Sequence, residues 1–242
     1  GEVMYKGLFI HVPKAAGTSM QAAFEPFQED GLVTEKTSWM HIPKLPLPFI
    51  QMFDFQISRA EVMALVVGKY AWQRTFKFCF VRNPWDRYVS NWHWLTRAGQ
   101  RTCWNARGWE GTPGEVSFES FVKQVGRCYD TLYGEYQHDK WHLRNQLDHI
   151  TNRNGEIMVD FVGRLENLDE DFAYVCEKIG HPEIELPHLN HVQSPTGGEL
   201  LPEPHYSTYY TEELRDIVAT RAQADIEYFG YEFEEAPEPA SD

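Results

Sequence analysis

Along this chain, short unbroken apolar runs alternate with stretches in which apolar residues recur at helical spacing. The run YKGLFIHV (5–12) is brief, apolar and closed by Pro13, the pattern of a strand buried on both faces. Met20, Ala23, Phe24 and Phe27 follow at helical spacing after Gly17, which places PKAAGTS in the turn between that strand and a helix. Ser58 and Glu61 form an S-x-x-E capping box, and Val62, Leu65, Val66 and Tyr70 supply the stripe of a second helix. FKFCFV (76–81) predicts the next strand. Asn83 is placed as the N-cap of the helix after it, with Pro84 at its first position and Trp85, Tyr88, Val89 and Trp92 on one face.

Between residues 97 and 145 the periodicity weakens, although Ser117 can cap a short helix carrying Phe118, Phe121, Val122 and Val125. Asn154-Gly155 signals a turn ahead of the strand IMVDFVG (157–163). Phe172, Val175, Cys176 and Ile179 mark a helix stopped by Gly180 and Pro182, and a last helix runs from Thr211 to Gly230. This alternation predicts an α/β fold: a mainly parallel sheet flanked by helices on both faces, in a single domain. The domain is expected over 1–233, with 234–242 an acidic, proline-containing, solvated tail. In such sheets ligands bind at the carboxyl ends of the strands, where both strand-to-helix turns lie.

Composition narrows the function classes. The 242 residues carry a formal charge of −14, which disfavours a broad footprint for nucleic acid or anionic membrane but permits a local basic pocket. No apolar run reaches the ~20 residues of a membrane span, and no signal-peptide pattern opens the chain. The expectation is a cytoplasmic protein. The chain opens almost at its first strand, which leaves an upstream anchor open. The four cysteines form no C-x-x-C: Cys79 and Cys176 read as buried thiols, and a bridge between Cys103 and Cys128 is neither required nor excluded. His138 and His142 share helical spacing in HDKWH, but Asp139 stands where a zinc protease needs Glu, so no metal is expected there.

The candidate chemistry lies in the two turns. HVPKAAGTS (11–19) combines small residues, Lys14 and a helix N-terminus, a set that suits an anion as well as an ordinary tight turn. It is not a Walker A motif, because Lys14 precedes Gly17. VRNPWDRYVSNW (81–92) places Arg82 at a strand end and Ser90 about two turns into the following helix. Arg82 can grip a phosphate with its planar fork or pair with a carboxylate.

With those residues in view, the sequence resembles the sulfotransferase superfamily, in the branch of carbohydrate O-sulfotransferases and their bacterial relatives. HVPKAAGTS resembles the family's 5′-phosphosulfate loop, FKFCFVRNPWDRYVSNW its 3′-phosphate motif, and DFVGRLENLDEDF (160–172) a segment common in this branch. The resemblance implies a P-loop-like sheet and the donor 3′-phosphoadenosine 5′-phosphosulfate (PAPS). It places Lys14 at the 5′-phosphate and the leaving oxygen, the backbone of Ala15, Ala16, Gly17, Thr18 and Ser19 around that phosphate, and Arg82 and Ser90 on the 3′-phosphate. His41, in SWMHIPK, matches the His that precedes the 3′-phosphate strand in this branch and is the expected base; His11 is the more structural choice. His188 and His191 precede the loop SPTGG, which by resemblance closes over the nucleotide. Residues 192–210 hold no Lys or Arg, a departure from the basic loop of some members.

The implied reaction moves a sulfuryl group from PAPS to a hydroxyl of a carbohydrate or small-molecule acceptor, without a metal. The charge of −14 favours a neutral or weakly charged acceptor. Trp104, Trp109, Tyr129, Tyr133, Tyr136 and Trp141 supply aromatics for its pocket or for the core. Arg164, Glu166 and Asn167 read as an internal ion pair or helix cap. Two rivals stand beside this reading: a nucleotide-dependent kinase or phosphotransferase, and a non-catalytic nucleotide-binding module.

Overall fold

The computed structural model describes residues 6–30, 32–33, 60–96, 116–125, 142–187 and 204–237. The chain divides into two compact units, Gly1–Arg82 with Gln146–Asn190 and Asn83–Asn145 with His191–Asp242. No linker composition marks this division in the sequence. The first of the three crossings falls between Arg82 and Asn83, inside one of the two chemistry-bearing turns.

The first unit is α/β. Strands β1 (Gly7–Phe9), β2 (Leu32–Val33), β3 (Phe76–Val81) and β4 (Phe161–Arg164) form a parallel sheet in the order β2-β1-β3-β4. β1 is shorter than the apolar run that predicts it. After Ile10 donates its N–H to Phe78 O at 2.8 Å, the backbone leaves the ladder and turns into helix α1 (Gly17–Phe24). A 3-10 turn (Glu25–Asp30) leads on to β2. Helices α2 (Ala60–Val67) and α3 (Lys69–Arg74), separated by Gly68 at φ 83°, precede β3, which spans the predicted residues. Ser58 of the expected capping box lies outside the described residues.

Side chains alternate across the strands and both faces are closed to water. Phe9, Phe78 and Phe80 pack with Met20, Ala23 and Phe24 of α1 and with Phe172, Val175, Cys176 and Ile179 of helix α7 (Leu168–Ile179). Leu8, Ile10, Cys79 and Val81, which alternate with them, are equally buried. Each such aromatic or aliphatic side chain contributes about 1.5–3 kcal/mol by burial. β4 can lie along Phe80 only because its third residue is Gly163, where a Cβ would sit 2.5 Å from Phe80 Cε1.

The predicted strand 157–163 pairs in the sheet only from Phe161. Upstream, Ile157 bridges Thr151 instead, across a turn in which Gly155 takes φ 80° and Asn152 Oδ1 accepts from Asn154 N and Glu156 N. Asp160 is used at the strand's start: its carboxylate accepts from Lys77 N at 2.8 Å and pairs with Lys77 Nζ at 2.7 Å. The short helix α6 (Leu147–Ile150) precedes this turn. Gly180, at φ 78°, ends α7 as the sequence predicts.

The second unit is helical among its described residues: α4 (Pro84–Thr96), α5 (Phe118–Val125), a 3-10 turn (Tyr206–Tyr209), α8 (Glu212–Arg221) and α9 (Gln223–Phe229). Asn83 caps α4 through Oδ1, which accepts from Trp85 N at 3.1 Å, and Ser117 Oγ accepts from Ser120 N at 3.1 Å to cap α5. Trp85, Tyr88 and Val89 pack with Phe118, Phe121, Val122, Leu214 and Val218.

The single helix expected over 211–230 breaks at Ala222, where ψ shifts to 19°. Asp225 there is buried, 4.0 Å from the buried Arg87, whose guanidinium also donates to Arg144 O and His142 O. The start of the expected tail is tied down. Glu234 N donates to Tyr206 Oη at 2.6 Å and Ala236 N to Ser207 Oγ at 3.0 Å, although Glu234–Ala236 are exposed.

Candidate functional site

At the carboxyl end of β1 the chain takes a conformation that local preference does not explain. Lys14 and Ala16 both sit in the left-handed region, at φ 67° and 63°. A non-glycine residue there costs about 1–2 kcal/mol, so the surrounding fold must hold the turn. Part of the hold is visible: Ala15 N donates to Val12 O at 3.3 Å, Ala15 is fully buried, and Met20 N donates to Ala16 O at 3.0 Å to open α1.

The start of α1 has no cap of its own. Ala16 stands at the N-cap and offers no side-chain acceptor to the first N–H groups of the helix. Ser19, in the first turn, is 1 % exposed, and its Oγ has no hydrogen-bond partner. A buried hydroxyl left in this state costs about 1–3 kcal/mol unless something else bonds it. Uncapped helix donors and an unmet hydroxyl in one turn suit an anion with several acceptor oxygens.

Gly17 is fixed by packing rather than by φ. A Cβ on it would lie 2.5 Å from His11 Cδ2, because the His11 ring occupies the space beneath the turn and packs on Phe9 with centroids 6.0 Å apart. His11 thus acts as the floor of the cradle, in keeping with the structural role expected of it. Thr18 is exposed and Lys14 half-buried.

Arg82 follows β3, the strand paired in parallel with β1, so it and the first turn both sit at the carboxyl end of the sheet. Its guanidinium Nη1 donates to Lys14 O at 3.4 Å. Its backbone is held twice by one side chain: Arg82 N donates to Gln146 Oε1 at 2.9 Å, and Gln146 Nε2 donates to Arg82 O at 2.7 Å. Gln146 is fully buried. Sequence reasoning passed over this residue, whose one mark is a polar side chain just before the apolar positions of a short helix.

The structure therefore brings Lys14, Ala15, Ala16, Gly17, Thr18, Ser19 and Arg82 together at the carboxyl end of the two central strands. Ser90 belongs to α4 of the second unit, where it is half-buried. His41, the expected base, lies outside the described residues, as do Cys103, Cys128, His138, His188, His191, the SPTGG loop and the six aromatics considered for the acceptor. Arg164 closes β4 beside Val81, and Asp171 of α7 accepts from Arg164 N at 2.6 Å and from Asn167 Nδ2 at 3.2 Å, although neither Arg164 nor Asn167 caps the helix after it with its own side chain. His142 stacks on Trp94, with ring centroids 5.1 Å apart.

Cys79 and Cys176 are buried free thiols. Burial pushes the Cys176 thiol up to about 12, with a smaller contribution from the Glu183 charge, and raises Cys79 as well. Neither can serve as a thiolate nucleophile near neutrality. Among the described residues no group of three His, Cys, Asp or Glu could hold a metal ion, and no helix is long and apolar enough to cross a membrane.

A protein of Archaeoglobus fulgidus described only as uncharacterized is 34% identical over 117 residues, 48% of this chain and 78% of its own length. No solved structure matches. The sequence model of the sulfotransferase family matches residues 4–232, nearly the whole chain, in agreement with the strand-end turns that carry the resemblance. The chain belongs to the sulfotransferase family.

Proposed function

We propose that this sulfotransferase takes its sulfuryl group from PAPS and transfers it to a hydroxyl of a neutral or weakly charged carbohydrate or small-molecule acceptor. The observation that carries the reading is the bond from Arg82 Nη1 to Lys14 O across adjacent strand ends. It brings the Arg82 guanidinium to the main chain of the turn read here as the 5′-phosphosulfate cradle, which supports a shared anion site at these strand ends. In this reading the N-terminus of α1 and Ser19 Oγ cradle the 5′-phosphate, and Arg82 grips the 3′-phosphate.

Sulfuryl transfer breaks the S–O bond to the 5′-phosphate while the acceptor oxygen bonds to sulfur, and negative charge builds on the bridging oxygen that leaves. Lys14 Nζ is the group assigned to stabilise that charge; a fixed donor of this kind is worth about 10²–10³ in turnover. His41 takes the proton from the acceptor hydroxyl. Its support is the sequence SWMHIPK and an imidazole's suitability for proton transfer near neutral pH.

The assay offers ³⁵S-labelled PAPS with a panel of sugars, phenols and alcohols, beside a parallel arm with Mg²⁺ and γ-labelled ATP. Label from PAPS should reach a hydroxyl acceptor. Transfer from ATP with none from PAPS would overturn the reading in favour of a phosphotransferase, and nucleotide binding without any transfer would favour a binding module.

A further inference from the structure

Past Val81, whose ladder partner is Arg164, the described strands offer the backbone of β3 no further neighbour. The N–H and C=O of Arg82 still need partners, since a half-buried backbone left unpaired is costly. A single side chain meets both. Gln146 accepts the N–H through Oε1 at 2.9 Å and donates to the carbonyl through Nε2 at 2.7 Å, closing a two-bond ring like a short piece of ladder. The orientation of the amide follows from this pairing, because the backbone N–H can only donate and the carbonyl can only accept.

The clamp is itself braced. Gln146 is fully buried and begins the short helix α6, and His149 N donates to its backbone carbonyl at 3.0 Å. A buried primary amide is expensive unless its groups are met, and here both its oxygen and its nitrogen bond the main chain of one residue. That residue is the arginine whose Nη1 reaches Lys14 O. A clamp on the main chain fixes the point from which the guanidinium swings.

We propose that Gln146 is the positioning residue for the 3′-phosphate arginine: its two-bond grip on the Arg82 main chain sets where the guanidinium meets the donor. The proposal rests on the PAPS reading above. It separates from a merely structural tie by its signature, which is selective for the 3′-phosphate rather than for nucleotide binding as a whole.

The test measures affinity for 3′,5′-ADP and for 5′-AMP in the wild type, Arg82→Ala, Gln146→Met and Gln146→Glu. Met keeps the volume and removes both bonds; Glu keeps the shape and loses the donor. The wild type should prefer 3′,5′-ADP, and Arg82→Ala should abolish the preference. Either Gln146 variant should lower the preference on the order of tenfold, the scale of a misplaced hydrogen bond to a charged group, while 5′-AMP binding changes little. Gln146→Met added to Arg82→Ala should lower it no further.

If the wild type shows no preference, the PAPS reading itself fails. If the wild type and Arg82→Ala behave as stated but the Gln146 variants keep the full preference, or lose affinity for both nucleotides equally, the inference alone is overturned. Should neither variant fold, hydrogen exchange in the wild type decides. The Arg82 amide should gain protection with 3′,5′-ADP and not with 5′-AMP, and equal protection by both would overturn the inference.

Discussion

Replacing Gly17 by Ala tests whether the turn after β1 is shaped for a ligand or merely connects two elements. Gly17 opens α1, and in an ordinary helix Ala is better than Gly by about 1 kcal/mol. Its φ is not in the left-handed region, so no backbone penalty applies. The obstacle is His11: the new methyl would lie 2.5 Å from its Cδ2, under a ring already packed on Phe9. Overpacking of this kind costs about 1–3 kcal/mol, and set against the helix gain it leaves a net loss of about 0–2 kcal/mol. Thermal denaturation reads that part.

The larger effect falls on binding. If the turn shifts to make room, it misplaces N–H donors, and one lost hydrogen bond to a charged phosphate weakens binding about 10–150-fold. Calorimetry with 3′,5′-ADP should show that loss in Gly17→Ala and its substantial recovery in the double variant Gly17→Ala with His11→Ala, where the ring is gone. A Gly17→Ala protein that is more stable than the wild type and binds 3′,5′-ADP unchanged would refute the reasoning.

Other consequences follow from the same geometry. Lys14→Ala should lower turnover about 10²–10³-fold in the ³⁵S assay while the protein keeps its fold, and unchanged turnover would remove Lys14 from the reaction. Asp225→Ala should destabilise the protein by about 3–5 kcal/mol, because it leaves Arg87 buried without its counter-charge; an unchanged denaturation midpoint would contradict that pairing. Cys79 and Cys176 should resist alkylation at pH 8 until the protein unfolds, read site by site by mass spectrometry. Their folded values lie above the ordinary 9.0, so the stability they contribute is complete below that value and is lost as pH rises above it, for Cys176 towards about 12. Equal alkylation of native and unfolded protein would count against their burial.

Much of the architecture was legible because its signals are local. β3 and the helix after it follow from an unbroken apolar run, an asparagine cap and a proline at the first helical position, and α7 ends at the glycine that a left-handed stop requires. Where the reading departs from the structure, tertiary demands decide. β1 stops early because residues beyond Ile10 are spent on the strained turn, and the strand before Phe161 is given up to a bridge with Thr151 and to the Asp160–Lys77 pair. The last helix bends at Ala222, close to Asp225, which lies buried near Arg87; no local preference encodes that partnership.

For the site, small residues and a lysine between a strand and a helix were enough to locate the turn after β1, and an arginine at the next strand end was enough to suspect a partner. The contacts that fix them were not legible. The clamp by Gln146 joins positions 64 residues apart, and the ring of His11 beneath Gly17 depends on how the turn doubles back.

In the proposed reading the carboxyl end of the sheet binds both phosphates of a 3′-phosphoadenosine. Isothermal titration of the wild-type protein with 3′,5′-ADP addresses it most directly. Saturable binding that weakens in Arg82→Ala and falls to the level of 5′-AMP is the expected result; absence of heat with 3′,5′-ADP at millimolar concentration, from a protein shown to be folded, would contradict it.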